Sequence, residues 1–169
     1  NIFIFPNNTN IILAAEQSKQ LIEGKKIHVI PTRTIPEGIA AALAFNPEEE
    51  ADVNKINMIH AIDNVVSGQV TYAVRTTKIN DFNLKKGDII GLDDKRILAK
   101  GESILECTVS LVDVLKENMH SSINLYYGYD MTEDEAEVVR QAVQDKYPEC
   151  DVELFNGGQA VYYFVISLE

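Results

Sequence analysis

Apolar and polar residues fall in blocks along the first quarter of the chain, and one order of blocks occurs twice. The apolar run Ile2–Phe5 is followed by Pro6, the polar cluster Asn7–Asn10 and the helix-like stretch Ile11–Ala15. Ile27–Ile30 is followed in the same way by Pro31, the polar Thr32-Arg33-Thr34 and the alanine-rich stretch Ile35–Ala44. Each copy reads as buried strand, polar turn and helix, since a short continuous apolar run bounded by turn residues suits a strand covered on both faces. The first helix is expected over about Asn10–Ile22, stopping near Gly24. The second opens at Pro36-Glu37, proline being pre-shaped for a first helical turn. Asn46-Pro47-Glu48-Glu49-Glu50 reads as a cap and an acidic first turn. Ile56, Ile59, His60 and Asp63, with Ile62 and Val66, give the helix that follows one partly apolar face.

The texture changes at Ser67-Gly68. Val70–Thr76, Ile89–Leu92 and Arg96–Ala99 are β-rich runs separated by the turns Lys85-Lys86-Gly87-Asp88 and Asp93-Asp94-Lys95, a pattern that predicts an antiparallel meander. Ile104–Leu115 reads as a helix and Ile123–Tyr127 as a strand. Thr132-x-x-Glu135 is a capping box opening a helix with Ala136, Val139 and Val143 on one face, and Pro148 lies beyond its end. Val152–Phe155 and Ala160–Leu168, separated by Asn156-Gly157-Gly158, read as a closing hairpin in which glycine supplies the positive φ of the turn. The expectation is an α/β protein of two lobes. Residues 1–66 form a parallel α/β lobe, incomplete because the chain opens inside its first strand and so reads as cut from something longer. Residues 67–169 form an α+β lobe with a mixed antiparallel sheet and helices.

Composition narrows the function classes. With 15 Lys+Arg against 26 Asp+Glu among 169 residues, the formal net charge is −11. That argues against nucleic-acid binding, which needs a basic surface, and leaves room for a basic partner. The same charge sets aside the resemblance of Gly157-Gly158-Gln159 to the peptidyl-tRNA-hydrolysing tripeptide of release factors. Cys107 and Cys150 have no C-x-x-C neighbour, so no disulfide framework is expected and a reducing cytoplasm fits. The longest apolar stretch, Ala160–Leu168, is short of a membrane span.

No catalytic set stands out. His28, His60 and His120 lack metal-ligand spacing. There is no nucleophile elbow, and Ile22-Glu23-Gly24-Lys25-Lys26 lacks the leading glycine and the following hydroxyl of a phosphate-binding loop. The polar turns remain as candidates. Asn8, Thr9, Thr32 and Thr34 would set hydroxyl and amide groups beside helix N-termini, an arrangement suited to a carboxylate or phosphate, with Arg33 able to add charge. The alternative is that these residues cap their helices.

Four segments in order carry a resemblance: Ile4-Phe5-Pro6-Asn7-Asn8-Thr9-Asn10-Ile11, Ile30-Pro31-Thr32-Arg33-Thr34-Ile35-Pro36-Glu37-Gly38, Gly68-Gln69-Val70-Thr71-Tyr72-Ala73-Val74-Arg75, and Asn156-Gly157-Gly158-Gln159 with Val161-Tyr162-Tyr163. Together they resemble the C-terminal domain of FakA-type proteins, the ATP-dependent components of bacterial fatty acid kinase, also described as DAK2- or DhaL-domain proteins. The resemblance implies a DegV-like fold, similar to the FakB partners that present the acyl chain. It implies a non-catalytic piece of a parent whose N-terminal domain, outside this chain, binds ATP and magnesium to make acyl phosphate for phospholipid synthesis. The partners it implies are a DegV/FakB-type fatty-acid-binding protein, other domains of the parent and a second copy as a homodimer. DegV proteins hold the fatty-acid carboxylate with a serine- and glycine-rich turn. Here Asn7–Asn10 stands in that place, and Pro31-Thr32 replaces an Asp-Ser pattern. The implied site at Asn8, Thr9, Thr32 and Thr34 is thus a vestigial one, with a lipid- or carboxylate-binding module as the alternative reading.

Overall fold

A computed structural model of the chain describes residues 1–79, 82–94 and 96–169. It divides into two units, Asn1–Val65 and Val66–Glu169.

In the first unit the doubled phrase becomes two parallel strands. β1 (Ile2–Ile4) pairs with β2 (Ile27–Val29), with Phe3 opposite His28. Parallel neighbours need a crossover, and α1 (Thr9–Ser18) supplies it. β2 is buried along its length, as the apolar run predicts. β1 is not: it is half-exposed, with Ile2 at the surface, because among the described residues no third strand pairs with it. α1 ends four residues earlier than Ile22, and Leu21 and Ile22 lie exposed in the turn before Gly24.

α2 (Ile35–Leu43) begins where the proline predicts, capped by Thr34. α3 (Ala51–Ile62) begins later than expected. The acidic run precedes the helix instead of forming its first turn, and Glu50 at the cap makes no side-chain bond. Buried Asn54 accounts for this. Its Oδ1 accepts from the Asn46 amide at 2.7 Å, and its Nδ2 donates to the carbonyls of Asn46 at 2.8 Å and Glu49 at 3.1 Å, fastening the turn outside the helix. The inward face of α3 carries Met58, Ile59 and Ile62, packed with Ile30 and Ala41. Ile59 and Ile62 belong to the expected apolar face, whereas Ile56, also expected there, is exposed.

The second unit is built on a six-stranded sheet: β3 (Val66–Tyr72), β6 (Ile89–Leu92), β7 (Ile97–Gly101), β8 (Ser122–Tyr127), β9 (Asp151–Asn156) and β10 (Phe164–Leu168), in the order β7-β6-β3-β10-β8-β9. The meander β3-β6-β7 is antiparallel, as expected. Lys95, part of the turn predicted within it, lies outside the described residues. β4 (Thr77–Ile79) and β5 (Phe82–Leu84) form a separate antiparallel pair that the sequence pattern did not reveal.

The closing hairpin is absent. β9 does not pair with β10; β8 lies between them, parallel to β9 and antiparallel to β10. The glycines do not make a hairpin turn. The amides of Gly157 and Gly158 both donate to the Tyr127 carbonyl, at 3.0 and 3.1 Å, so the segment folds back over the end of β8 on its way to the far side of that strand. Gly158 does take the expected positive φ, at 60°.

α4 (Ile104–Leu115) and α5 (Glu133–Lys146) are capped by Ser103 and by the Thr132/Glu135 box. They bury Leu111, Val112, Ala136, Val139 and Val143 against Val70, Ile123, Leu125, Phe164, Ile166 and Leu168 of the sheet. All five residues of β10 are buried, as befits a strand with neighbours on both sides.

Candidate functional site

The two strand-to-helix turns of the first unit hold one another. Pro6 ends the β1 run, and Asn7 then adopts φ 51°, a left-handed conformation that asparagine tolerates better than most residues. Its amide donates to Thr32 Oγ1 at 3.0 Å, and its Oδ1 accepts from the same hydroxyl at 2.8 Å. Thr32 is fully buried and spends its hydroxyl as both donor and acceptor on Asn7. The Asn7 amide group lies against Gly38 in α2. A Cβ at Gly38 would stand 2.2 Å from Asn7 Oδ1, so only glycine admits this packing.

Two of the other predicted residues, Asn8 and Thr34, cap helices. Asn8 accepts from the Asn10 amide at 2.8 Å at the head of α1. Thr34 accepts from the Glu37 amide at 3.4 Å, and Glu37, itself buried, accepts from the Arg33 amide at 2.5 Å. Thr9 is the exposed first residue of α1, and the Arg33 side chain is exposed as well. Of the four named positions, then, Thr32 is the one drawn into the contact between the turns. Asn7, which the sequence pattern did not single out, is its partner. The readable signal was Gly38: a glycine inside an alanine-rich helix costs helix stability and therefore has a packing reason.

Beside these turns is an apolar cavity of about 230 Å³, lined by Phe3, Phe5, Ala42, Phe45 and Met58. Phe3 stacks on His28 with ring centroids 4.9 Å apart. His28 is buried, with Nε2 3.1 Å from Asn1 Oδ1 and Nδ1 3.8 Å from Asp52. Burial and the nearby Lys26 hold its pKa below the ordinary value, and Asp52 offsets part of that. Asp52 is itself held low by its bond from Lys26.

Reactive chemistry is sparse. Both cysteines are buried and unpaired, and burial pushes the Cys107 thiol up to about 12, which keeps it protonated. Among the described residues, no group of three or more His, Cys, Asp or Glu side chains could hold a metal ion. No helix among them is long and apolar enough to cross a membrane.

Against known proteins, residues 1–169 match the family model of the FakA-like C-terminal domain, that is, the C-terminal part of fatty acid kinase proteins of the FakA type. The chain belongs to this family. Protein YloV of Bacillus subtilis is 39% identical over 99% of this chain and 30% of its own length. SH1689 of Staphylococcus haemolyticus is 34% identical over 98% of the chain and 30% of its own length. The chain thus spans about three-tenths of the curated relatives it matches.

Among solved structures, the DegV family protein Cg2579 of Corynebacterium glutamicum superposes with a TM-score of 0.70 at 12% identity, covering 99% of this chain and 74% of that one. The Streptococcus pneumoniae Fak B3 protein loaded with linoleic acid superposes with a TM-score of 0.67 at 10% identity, covering 100% and 71%. At such identities the likeness concerns the fold, which is that of the DegV proteins. This FakA-like C-terminal domain is therefore a kinase-related domain with the fold of proteins such as Fak B3.

Proposed function

We propose that the chain is a non-catalytic domain of a bacterial fatty acid kinase that helps recruit the fatty-acid-carrying DegV-type partner. In this reading ATP and magnesium are held elsewhere in the parent protein. The acyl phosphate forms there, in the cytoplasm, on a fatty acid presented by the partner. One observation carries the proposal: in a DegV frame, the polar strand-end turns are occupied by each other. Thr32 has both hydrogen-bonding roles taken up by Asn7, and Asn8 and Thr34 are committed to helix caps. A carboxylate would have to break these bonds to bind, leaving Thr32 buried without a partner. Titrating the chain against a lipid-loaded DegV-type carrier by calorimetry should give saturable binding. Absence of binding, with full binding by a parent protein lacking this region, ends the proposal.

The apolar cavity lined by Phe3, Phe5 and Phe45 favours a second reading, a module that binds lipid itself. Mass spectrometry of the purified chain and calorimetry with free fatty acids separate the two. On the recruitment reading the chain is lipid-free and gives no heat; a stoichiometric acyl ligand would favour the second.

A further inference from the structure

The second unit carries a groove of about 310 Å³ where the first turns of α4 and α5 lie side by side. Its floor is aliphatic: Ile104 and Leu105 from α4, Met131 from the loop before α5, and Val138 and Val139 from α5. Val138 is 59% exposed and Leu105 36%, so the groove offers apolar surface to solvent. Its rim is acidic. Asp130 lines it, Glu102 precedes the Ser103 cap of α4, and Glu133 and Asp134 open α5; all four are exposed. Among the described residues, none of these four carboxylates pairs with a cation of the chain. Glu135 and Glu106, by contrast, are engaged: each accepts a backbone amide at its helix start.

We propose that this groove receives a segment of the fatty-acid-carrying partner that bears aliphatic side chains flanked by lysine or arginine. The inference rests on the recruitment reading above and gives it a surface. An apolar floor calls for a complementary apolar anchor, and unpaired carboxylates around it select a basic rim. Charge disposes of the other occupants. A second copy would bring the same acidic rim, on a chain of formal charge −11, against this one. Nucleic acid and anionic lipid are repelled for the same reason.

The test is a binding titration of the chain against a lipid-loaded DegV-type carrier at low and moderate salt. Leu105→Ser with Val138→Ser should weaken binding at least tenfold. Asp130→Asn with Glu133→Gln should slow association several-fold and flatten the salt dependence. Glu23→Gln with Glu48→Gln, the same charge change on exposed residues of the first unit, should leave both unchanged. Circular dichroism and melting confirm that each variant is folded; these substitutions spare the caps Ser103 and Thr132 and the buried Met131 and Val139. If the unmodified chain binds and both groove variants bind equally well, the groove is not the docking surface, though recruitment stands. If the control weakens binding as much as the groove charges do, general charge rather than this groove is responsible, and the inference fails. If the unmodified chain does not bind, the recruitment reading fails and this inference with it.

Discussion

The two units are held together by different physics. The second buries a large apolar core between a six-stranded sheet and two helices, with a smaller cluster around Ala73, Leu84 and Ile90 beside it. The first has a two-stranded sheet and two small clusters, one around Val29 and one around Ile30, Ala41 and Met58. What the first unit lacks in apolar burial is made up in part by specific polar fastenings: Asn7 to Thr32, Asn54 to the 46–50 turn, and Thr34 with Glu37 at the head of α2. A core of many apolar contacts is damaged wherever a large side chain is taken out of it. A fold fastened at a few points fails at those points.

The largest effect should come from the second unit's core. Phe164→Ala removes a fully buried ring at the centre of the sheet and should cost about 3–5 kcal/mol, read by denaturant unfolding. Hydrogen exchange should show the loss in residues 66–169. The first unit should be most sensitive at Gly38. Gly38→Ala drives a methyl into Asn7 and should cost about 1–3 kcal/mol, with faster amide exchange at Asn7 and in α2. Asn7→Gly removes the clash and the left-handed strain but also the oxygen that accepts from the buried Thr32 hydroxyl, so the reading is by double-mutant cycle: Gly38→Ala should cost less in the Asn7→Gly background than in the native chain, and an equal cost would mean that the contact with Asn7 is not what Gly38 protects.

Thr132→Ala removes the capping box of α5 and should cost about 1 kcal/mol in thermal melts. The subtlest contrast is with pH. His28 has a folded-state pKa below its unfolded value near 6.5, so in acid the unfolded chain takes up a proton that the native unit refuses. Stability should therefore be unaffected by this group above that value and decline as pH falls below it. Exchange rates in residues 1–65 should show the decline, and His28→Phe should remove it. An equal decline in the variant would assign the effect to another group.

How much of this was legible in the sequence depended on whether the signal was local. Thr132-x-x-Glu135 announces a helix because a cap and its partner lie within one turn, and α5 appears where those residues place it. Strand pairing carries no such local mark. The run Phe164–Leu168 says that a strand is buried on both faces but not which strands flank it, and the Gly157-Gly158 pair invited a hairpin. A better clue was present in Ile123–Tyr127, the capped helix and Val152–Phe155: strand, helix, strand is the connection that parallel neighbours require. At the candidate site the caps Asn8 and Thr34 were legible for the same local reason. The Asn7–Thr32 bond joins residues 25 positions apart and rests on a glycine in a third segment.

The central position of β10 has a consequence for biosynthesis. β3 and β8 meet only through it, so a nascent chain that has already emitted β3, β6, β7, β8 and β9 holds two half-sheets with nothing between them. Until Phe164–Leu168 leave the ribosome, the inner rims of both halves present unpaired backbone, the surface on which chains stick to one another. Closing the β3–β10 ladder, with Val66 opposite Leu168, then spans about a hundred residues, a slow search by topology alone. A translation product cut short before Phe164 would be two aggregation-prone fragments of sheet on one string, and its disposal would fall to chaperones and proteases.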